Sequence, residues 1–194
     1  MVATLPNGIT IAYQSSGFGL PVVWLHGFPL DGSMWQPQLD GLAADAHSVA
    51  IDLPGFGGSS LDPSFSIESA ANRVAEFLAA ANIHERIVLG GLSMGGYVAM
   101  AFARRHSASL RGLILANTRA EPDDEAAKAN RAKAIALAEE RGPIAVIEGM
   151  LPKLLAPTAS AETAARVREI ASRQSTAGVV RAIEALRDRP DALP

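Results

Sequence analysis

The sequence predicts an α/β fold: a mostly parallel central sheet with helices on both faces and a helical cap. Three observations support this prediction. Short apolar runs typical of buried strands alternate with segments of helical periodicity. Glycine-containing turns follow several of these runs, and functional sites of parallel sheets lie at such carboxyl ends of strands. From residue 123 onward the strand signals stop and only helical stretches remain.

The strands are predicted from short runs rich in Val, Ile and Leu. The pair Asn7-Gly8 favours a tight turn and predicts a hairpin between the first two strands. Later runs, such as residues 21–25 and 87–89, are apolar without alternation, as expected of strands buried on both faces. The six strands are expected at residues 2–5, 9–13, 21–25, 48–53, 87–89 and 110–116.

Helical spacing of apolar residues predicts the remaining elements. Ser66 is expected to cap a helix that continues to Ala81, because a serine side chain can accept a hydrogen bond from an early helical N–H. The predicted organisation is a core of residues 1–120 and a helical cap of residues 121–190. Helices are expected at residues 30–44, 66–81, 97–105, 123–141, 144–155, 161–171 and 176–187.

Composition excludes several classes of function. The chain has 194 residues, of which 48% are hydrophobic, enough for one domain with a core. A net charge of −3 gives no reason to expect nucleic acid binding, and the absence of cysteine excludes thiol catalysis and thiolate metal sites. There is no signal-peptide pattern and no apolar run of membrane-spanning length. We therefore expect a cytoplasmic protein.

The stretch RIVLGGLSMGGYVAMAFARR, residues 86–105, carries the main functional signal. It places Ser93 at a corner between a strand and a helix, the context in which the pattern G-x-S-x-G indicates a nucleophile. Side chains at Gly91 and Gly95 would collide with nearby backbone, and the N–H of Met94 opens the helix. The alternative is a glycine-rich turn with an incidental serine. A phosphate-binding loop is excluded because no Gly-Lys-Ser/Thr follows.

Three motifs together make the chain resemble the α/β-hydrolase superfamily. They are His26-Gly27-Phe28-Pro29, the segment DLPGFGGS at residues 52–59, and Gly91-Leu92-Ser93-Met94-Gly95-Gly96, each directly after a predicted strand. The chain is most similar to small bacterial esterases and 3-oxoadipate enol-lactonase-like hydrolases. The resemblance implies hydrolysis of carboxylic esters or lactones, which are small-molecule substrates, without a metal or an organic cofactor.

The resemblance assigns a role to each matching position. Ser93 would be the nucleophile, and the backbone N–H groups of Phe28 and Met94 would form the oxyanion hole. Gly27 would let the backbone approach the substrate. His26 would brace the oxyanion loop by hydrogen bonding and would not act as the base.

The resemblance also implies where the acyl group would bind. Residues 123–187 would form the cap over an apolar pocket. Phe28, Trp35 and Met94 would lie near the floor of this pocket.

The general base is not evident in the sequence. In the family the catalytic acid and histidine follow the nucleophile along the chain. Only His106 follows Ser93, and it should lie at the far end of the helix that Ser93 begins. His47 and His84 precede strands, which puts them at the opposite edge of the sheet. We therefore expect the acid and the histidine in a C-terminal segment beyond Pro194.

Several alternatives stay open on these residues. The same fold supports acyl transfer or perhydrolysis, and a chain without a base could be a ligand-binding relative or a catalytically incompetent fragment. Dehalogenase and epoxide hydrolase chemistry is disfavoured because it needs a carboxylate where Ser93 stands.

The strand at residues 110–116 would form an open edge that pairs with a complementary C-terminal fragment or with a second copy.

Overall fold

A computed structural model describes residues 1–192 and contains one six-stranded sheet in the order β1-β2-β4-β3-β5-β6. Strands β3 to β6 pair in parallel, whereas β1 and β2 add an antiparallel hairpin at one side. The mostly parallel sheet expected from the sequence is thus confirmed. The strands are β1 (Val2–Thr4), β2 (Thr10–Ser16), β3 (Leu20–Leu25), β4 (Ala46–Ile51), β5 (Ile87–Leu92) and β6 (Leu110–Ala116).

Helices cover both faces of the sheet. Besides two short 3-10 helices, Gly32–Trp35 and Ser107–Ser109, the described residues form seven α-helices. None of the helices within residues 1–192 is long and apolar enough to cross a membrane. The α-helices are α1 (Gln36–Gly41), α2 (Ile67–Ala80), α3 (Met94–Arg105), α4 (Glu125–Arg141), α5 (Pro143–Leu154), α6 (Ala161–Ser172) and α7 (Thr176–Arg187).

Alternation along β3 explains how the two faces are divided. Val23 and Leu25 belong to the large cluster formed with α2 and α3, whereas Val22 and Trp24 point to the other face. There Trp35 and neighbouring residues of α1 cover the sheet. This division places the end of β3 and the start of α3 at the same edge of the core.

The region predicted as one helix at residues 30–44 is divided in two. Asp31 caps the 3-10 helix by accepting the Ser33 N–H at 3.0 Å, and Asp52 accepts the Gly32 N–H at 2.7 Å. These bonds fix a tight first turn, and α1 then begins beside Pro37 and ends at Gly41. Two side-chain acceptors therefore override the regular helical spacing of the apolar residues.

The C-terminal helices, α4 to α7, lie against one another and against the core loops. Helix α4 packs on α7 and α5, and α5 packs on α6. A side chain at Gly178 of α7 would collide with the carbonyl group of Gly55, in the loop after β4. Helix α7 therefore approaches the core at backbone distance.

Strand β6 is the last strand of the sheet in the described residues. Leu113, Ile114 and Leu115 are 39%, 41% and 46% exposed, although the run is as apolar as a buried strand. Its outer side offers backbone groups and apolar side chains to solvent.

Candidate active site

Ser93 lies at a strained corner between β5 and α3. Its backbone has φ +50° and ψ −109°, a left-handed conformation that non-glycine residues rarely adopt. The Ser93 N–H donates to the carbonyl of Ala116 at 2.9 Å, and its own carbonyl accepts from Gly96 N–H at 2.9 Å and Thr118 Oγ1 at 3.0 Å. We call residues 91–97 the Ser93 corner. Neighbouring strands and helix hold this strain in place.

Close backbone approach explains two of the glycines in this corner. A Cβ atom at Gly91 would collide with the carbonyl of Gly95, and one at Gly95 would collide with the carbonyl of Leu25 at the end of β3. The first turn of α3 can therefore sit directly on the strand ends. This packing puts Ser93 at the top of the sheet.

Ser93 opens onto a cavity of about 300 Å³ between the core and the C-terminal helices. Most of its wall is apolar, and Ser93, Tyr97, Asn117 and Arg131 supply the polar side chains. Asn117 directly follows β6 and has φ +42°, in the left-handed region that asparagine tolerates. The lining residues are Gly27, Phe28, Leu30, Met34, Leu92, Ser93, Tyr97, Asn117, Arg131, Met150, Leu154, Leu155, Val167 and Leu186.

Two of the three expected pocket residues lie elsewhere. Phe28 lines the cavity, but Trp35 packs on Trp24 with ring centroids 4.8 Å apart, on the other face of the sheet. The Met94 side chain is fully buried in the core beneath the Ser93 corner. Met34 lines the cavity in place of Trp35, because the 3-10 helix turns Trp35 towards the sheet.

Of the two residues whose amides are expected in the oxyanion hole, Phe28 lines this cavity and Met94 directly follows Ser93, which also lines it. Phe28 follows Gly27, whose carbonyl accepts the Leu30 N–H at 2.9 Å, and the Phe28–Pro29 peptide is cis. The Met94 N–H belongs to the first turn of α3, where amides have no acceptor inside the helix. Within residues 1–192, neither amide donates a hydrogen bond to the protein. Both can therefore receive a ligand oxygen.

His26 is a buried structural histidine that connects two loops. Its Nε2 accepts the Leu53 N–H at 3.0 Å, so its Nδ1 carries the proton and donates to the Gly27 carbonyl at 3.1 Å. Burial lowers the pKa of His26, and the bond to Gly27 only partly opposes this effect. A neutral His26 thus joins the end of β4 to the loop that carries Phe28.

The other histidines are also far from a catalytic arrangement. His47 Nε2 lies 2.8 Å from Ser15 Oγ, and His106 Nε2 lies 2.9 Å from Asn72 Oδ1. His84 is exposed in the loop before β5. All four histidines of the chain are in the described residues, and none of them lines the cavity.

A buried carboxylate, Asp31, attaches α6 to the core, and sequence reasoning did not identify it. Its Oδ2 accepts from Gln174 Nε2 at 3.0 Å and from Arg173 Nη2 at 3.3 Å. Gln174 Oε1 in turn accepts the Gly57 N–H at 2.8 Å. Burial raises the pKa of Asp31, but hydrogen bonds from Ser33 and Gln174 and the charge of Arg173 bring it below its usual range.

A second buried carboxylate, Asp123, lies where the chain enters α4. It accepts from Arg119 at 2.8 Å, from Arg131 Nε at 3.0 Å and from Arg189 Nη1 at 2.7 Å. Burial raises the pKa of Asp123, but hydrogen bonds from Arg131 and Arg189 and the charges of these two arginines outweigh that effect and bring the pKa below its usual range. The Arg189 guanidinium also lies 4.4 Å from the ring centroid of Tyr97. We call these four charged residues the Asp123 cluster.

The Asp123 cluster had no sequence signal of its own. Its arginines lie up to 66 residues from Asp123 along the chain. Arg131 stands among other cations in an Ala-rich helix, where a solvated role is the default expectation. Elsewhere, no group of three or more His, Cys, Asp or Glu side chains in the described part of the chain could hold a metal ion.

About half of the chain is similar in sequence to a curated esterase. A curated relative, the pimeloyl-acyl-carrier protein methyl ester esterase of Vibrio atlanticus (strain LGP32), is 32% identical over 105 residues. Those residues are 54% of this chain and 39% of the relative, so the match spans about two fifths of that protein's length.

Solved structures match over nearly the whole chain. The malate-bound structure of a thermophilic esterase from Thermogutta terrifontis has a TM-score of 0.93 and 37% identity, and the match covers 99% of this chain and 73% of that one. The enol-lactonase from Burkholderia xenovorans LB400 shares the fold, with a TM-score of 0.84 and 24% identity over 97% of this chain and 74% of that one.

A family model matches more of the chain than the curated relative does. The model of the alpha/beta hydrolase family matches residues 22–193, most of the chain. This segment contains the loop after β3, the Ser93 corner and the C-terminal helices. The chain therefore belongs to the alpha/beta hydrolase family.

Proposed function

We propose that this protein hydrolyses carboxylic esters or lactones through an acyl-enzyme formed on Ser93. The observation that carries the proposal is the strained Ser93 corner, which opens onto an apolar cavity between two free backbone amides. A serine held this way is typical of nucleophiles, and an apolar cavity suits an acyl chain. The esterase from Thermogutta terrifontis, 37% identical, supports the same class of reaction.

The chemistry follows from this placement. Ser93 Oγ attacks the carbonyl carbon while its proton passes to a base, and the carbonyl oxygen becomes an oxyanion. The N–H groups of Phe28 and Met94 stabilise that charge. The alcohol leaves with a proton, and water then hydrolyses the acyl-serine.

The base and its acid partner are proposed to come from a C-terminal segment outside the described residues. Two findings support this proposal. None of the four histidines lines the cavity, and a serine without a base is a poor nucleophile. In addition, the chain covers 73% of the Thermogutta terrifontis esterase chain, which leaves about a quarter of that protein without a counterpart.

Residues 121–190 are proposed to act as a cap. Helices α4 to α7 supply Arg131, Met150, Val167 and other residues to the cavity wall opposite Ser93. Their contacts to the core include apolar packing, the hydrogen bonds of Asp31 and the Asp123 cluster. A cap built this way would exclude water from the acyl group.

Strand β6 is proposed to pair with the same C-terminal segment or, without it, with a second copy. Its half-exposed apolar residues and free backbone edge favour such pairing. We predict that the 194-residue chain is not a stable monomer in size-exclusion chromatography with light scattering. A monodisperse 20.2 kDa species with slow hydrogen exchange at Leu113 to Leu115 would contradict this prediction.

Hydrolysis of p-nitrophenyl acetate tests the proposed function. A longer chain that includes the C-terminal segment should hydrolyse it, and Ser93→Ala should reduce kcat/KM by about a thousandfold or more. Ser33→Ala is the matched control, because Ser33 bonds to Asp31 and does not line the cavity. The 194-residue chain alone should be slow, since it lacks a base.

Two results would overturn the proposal. Ordinary turnover that survives Ser93→Ala would remove Ser93 from the chemistry. A longer chain that binds esters without hydrolysing them would instead favour the ligand-binding alternative.

A further inference from the structure

Arg131 is the only charged side chain among the described residues that line the cavity beside Ser93. We propose that it selects esters whose acyl chain ends in a carboxylate, remote from the ester bond. This proposal rests on the proposed function and names its substrate class. The rest of the wall opposite Ser93, including Met150, Leu154 and Val167, is apolar and suits the methylene chain between the two groups.

The hydrogen bonding of Arg131 leaves part of its guanidinium available. Its Nε donates to Asp123 Oδ2 at 3.0 Å, which fixes the plane of the group. Within residues 1–192 its two terminal nitrogens make no hydrogen bond to the protein. A guanidinium held at Nε presents a fork of N–H donors that matches the two oxygens of a carboxylate.

The charges around Arg131 favour an anion. In the Asp123 cluster, three guanidinium groups share the single carboxylate of Asp123. Arg189 Nε is buried without an acceptor in the described residues. Arg189 also packs on Tyr97, which lines the cavity one turn of α3 beyond Ser93. Two of the three guanidinium groups thus lie in or directly behind the wall of the cavity.

A purely structural role for Arg131 can be separated from this one by comparison with Arg119. Both arginines donate to Asp123, at 3.0 Å and 2.8 Å. Arg119 is half exposed and does not line the cavity, whereas Arg131 does. Loss of either bond should affect the cluster, but only loss of Arg131 should affect an anion in the cavity.

Calorimetric binding of two matched probes tests the proposal. The probes are monomethyl glutarate, which carries a carboxylate, and dimethyl glutarate, its neutral counterpart. Both are titrated into the Ser93→Ala variant of the longer chain that includes the C-terminal segment, so that no turnover occurs. The monoanion should bind about tenfold more tightly at pH 7, about 1.4 kcal/mol. Adding Arg131→Gln should abolish this preference while leaving the Kd of dimethyl glutarate within about twofold, as expected when only a charged hydrogen bond is removed.

Two further variants guard against a folding artefact. Arg131→Lys keeps a cation and should retain part of the preference, and Arg119→Gln should retain all of it. Circular dichroism melting identifies any variant that fails to fold. If Arg131→Gln does not fold, the preference for the monoanion measured in Arg131→Lys takes its place as the test.

The outcomes separate this inference from the proposed function. Three results would overturn the role of Arg131 and leave the proposed function standing. The two probes could bind equally, the preference for the monoanion could survive Arg131→Gln, or Arg119→Gln could abolish it as fully as Arg131→Gln does. If neither probe binds, the cavity is not a substrate site, and the proposed function fails with it.

Discussion

The Ser93 corner and the attachment of the C-terminal helices are built in different ways. The corner is fixed by backbone contacts between β3, β5, β6 and α3, and Thr118, which bonds to Ser93, is only 25 residues away. The C-terminal helices pack on the core through apolar residues and are also tied to it by two buried carboxylates, Asp31 and Asp123. The partners of these carboxylates, Gln174 and Arg189, are 143 and 66 residues away along the chain.

The difference has a physical consequence. At the corner, backbone atoms pack so closely on Gly91 and Gly95 that an added side-chain atom would collide with a carbonyl group. Buried ion pairs behave in the opposite way: the intact pair contributes little net stability, but removing one partner leaves an uncompensated buried charge. We therefore expect the corner to be sensitive to volume and the attachment of the helices to be sensitive to charge.

The largest effect is expected from breaking the Asp123 cluster. Asp123→Ala leaves Arg189 buried without its carboxylate and should lower the free energy of unfolding by about 3–5 kcal/mol. The matched control is Asp188→Ala, which removes an exposed carboxylate paired with Arg187 and should change little. Urea denaturation measures both. Equal, small losses would show that the cluster does not hold the helices.

A smaller effect is expected from adding one methyl group to the corner. Gly91→Ala brings a Cβ against the carbonyl of Gly95 and should cost about 1–3 kcal/mol of unfolding free energy, as overpacking usually does. Gly112→Ala in β6 adds the same group where no atom lies within 4 Å. Thermal melts of the two variants should differ clearly. Similar melting temperatures would mean that the corner can relax.

The smallest effect concerns pH and the loop behind the oxyanion amides. Burial lowers the pKa of His26 in the folded chain below its usual 6.5, so the unfolded chain binds more protons just below pH 6.5. The contribution of His26 to stability is therefore complete above pH 6.5 and is lost as the pH falls towards its folded pKa. The slope is at most about 1.4 kcal/mol per pH unit.

A second histidine has to be separated from this effect. Burial and Arg105 also lower the pKa of His106, so His106→Gln is the control and should keep the His26 part of the slope. Unfolding free energies at pH 7, 6 and 5 give the answer. The same stability at pH 7 and pH 5 in the His106→Gln variant would contradict a buried neutral His26.

The contrast also explains what the sequence could predict. The Ser93 corner is encoded by neighbouring residues, and α7 begins and ends where its apolar spacing indicated. The positions of Trp35 and Met94 depend on how the 3-10 helix and α3 are rotated against the sheet, which local spacing does not determine. The pairs of Asp31 with Gln174 and of Asp123 with Arg189 form only after the chain folds. Arg131, which lines the cavity, likewise bonds to Asp123 only in the folded chain.

The central claim is that Ser93 is the residue that becomes acylated. Its most direct test is to treat a form of the protein that hydrolyses p-nitrophenyl acetate with a fluorophosphonate and to locate the adduct by peptide mass spectrometry. The account predicts one adduct, on Ser93, which disappears in Ser93→Ala and persists in Ser33→Ala. An adduct on another residue, or full labelling of Ser93→Ala, would contradict it.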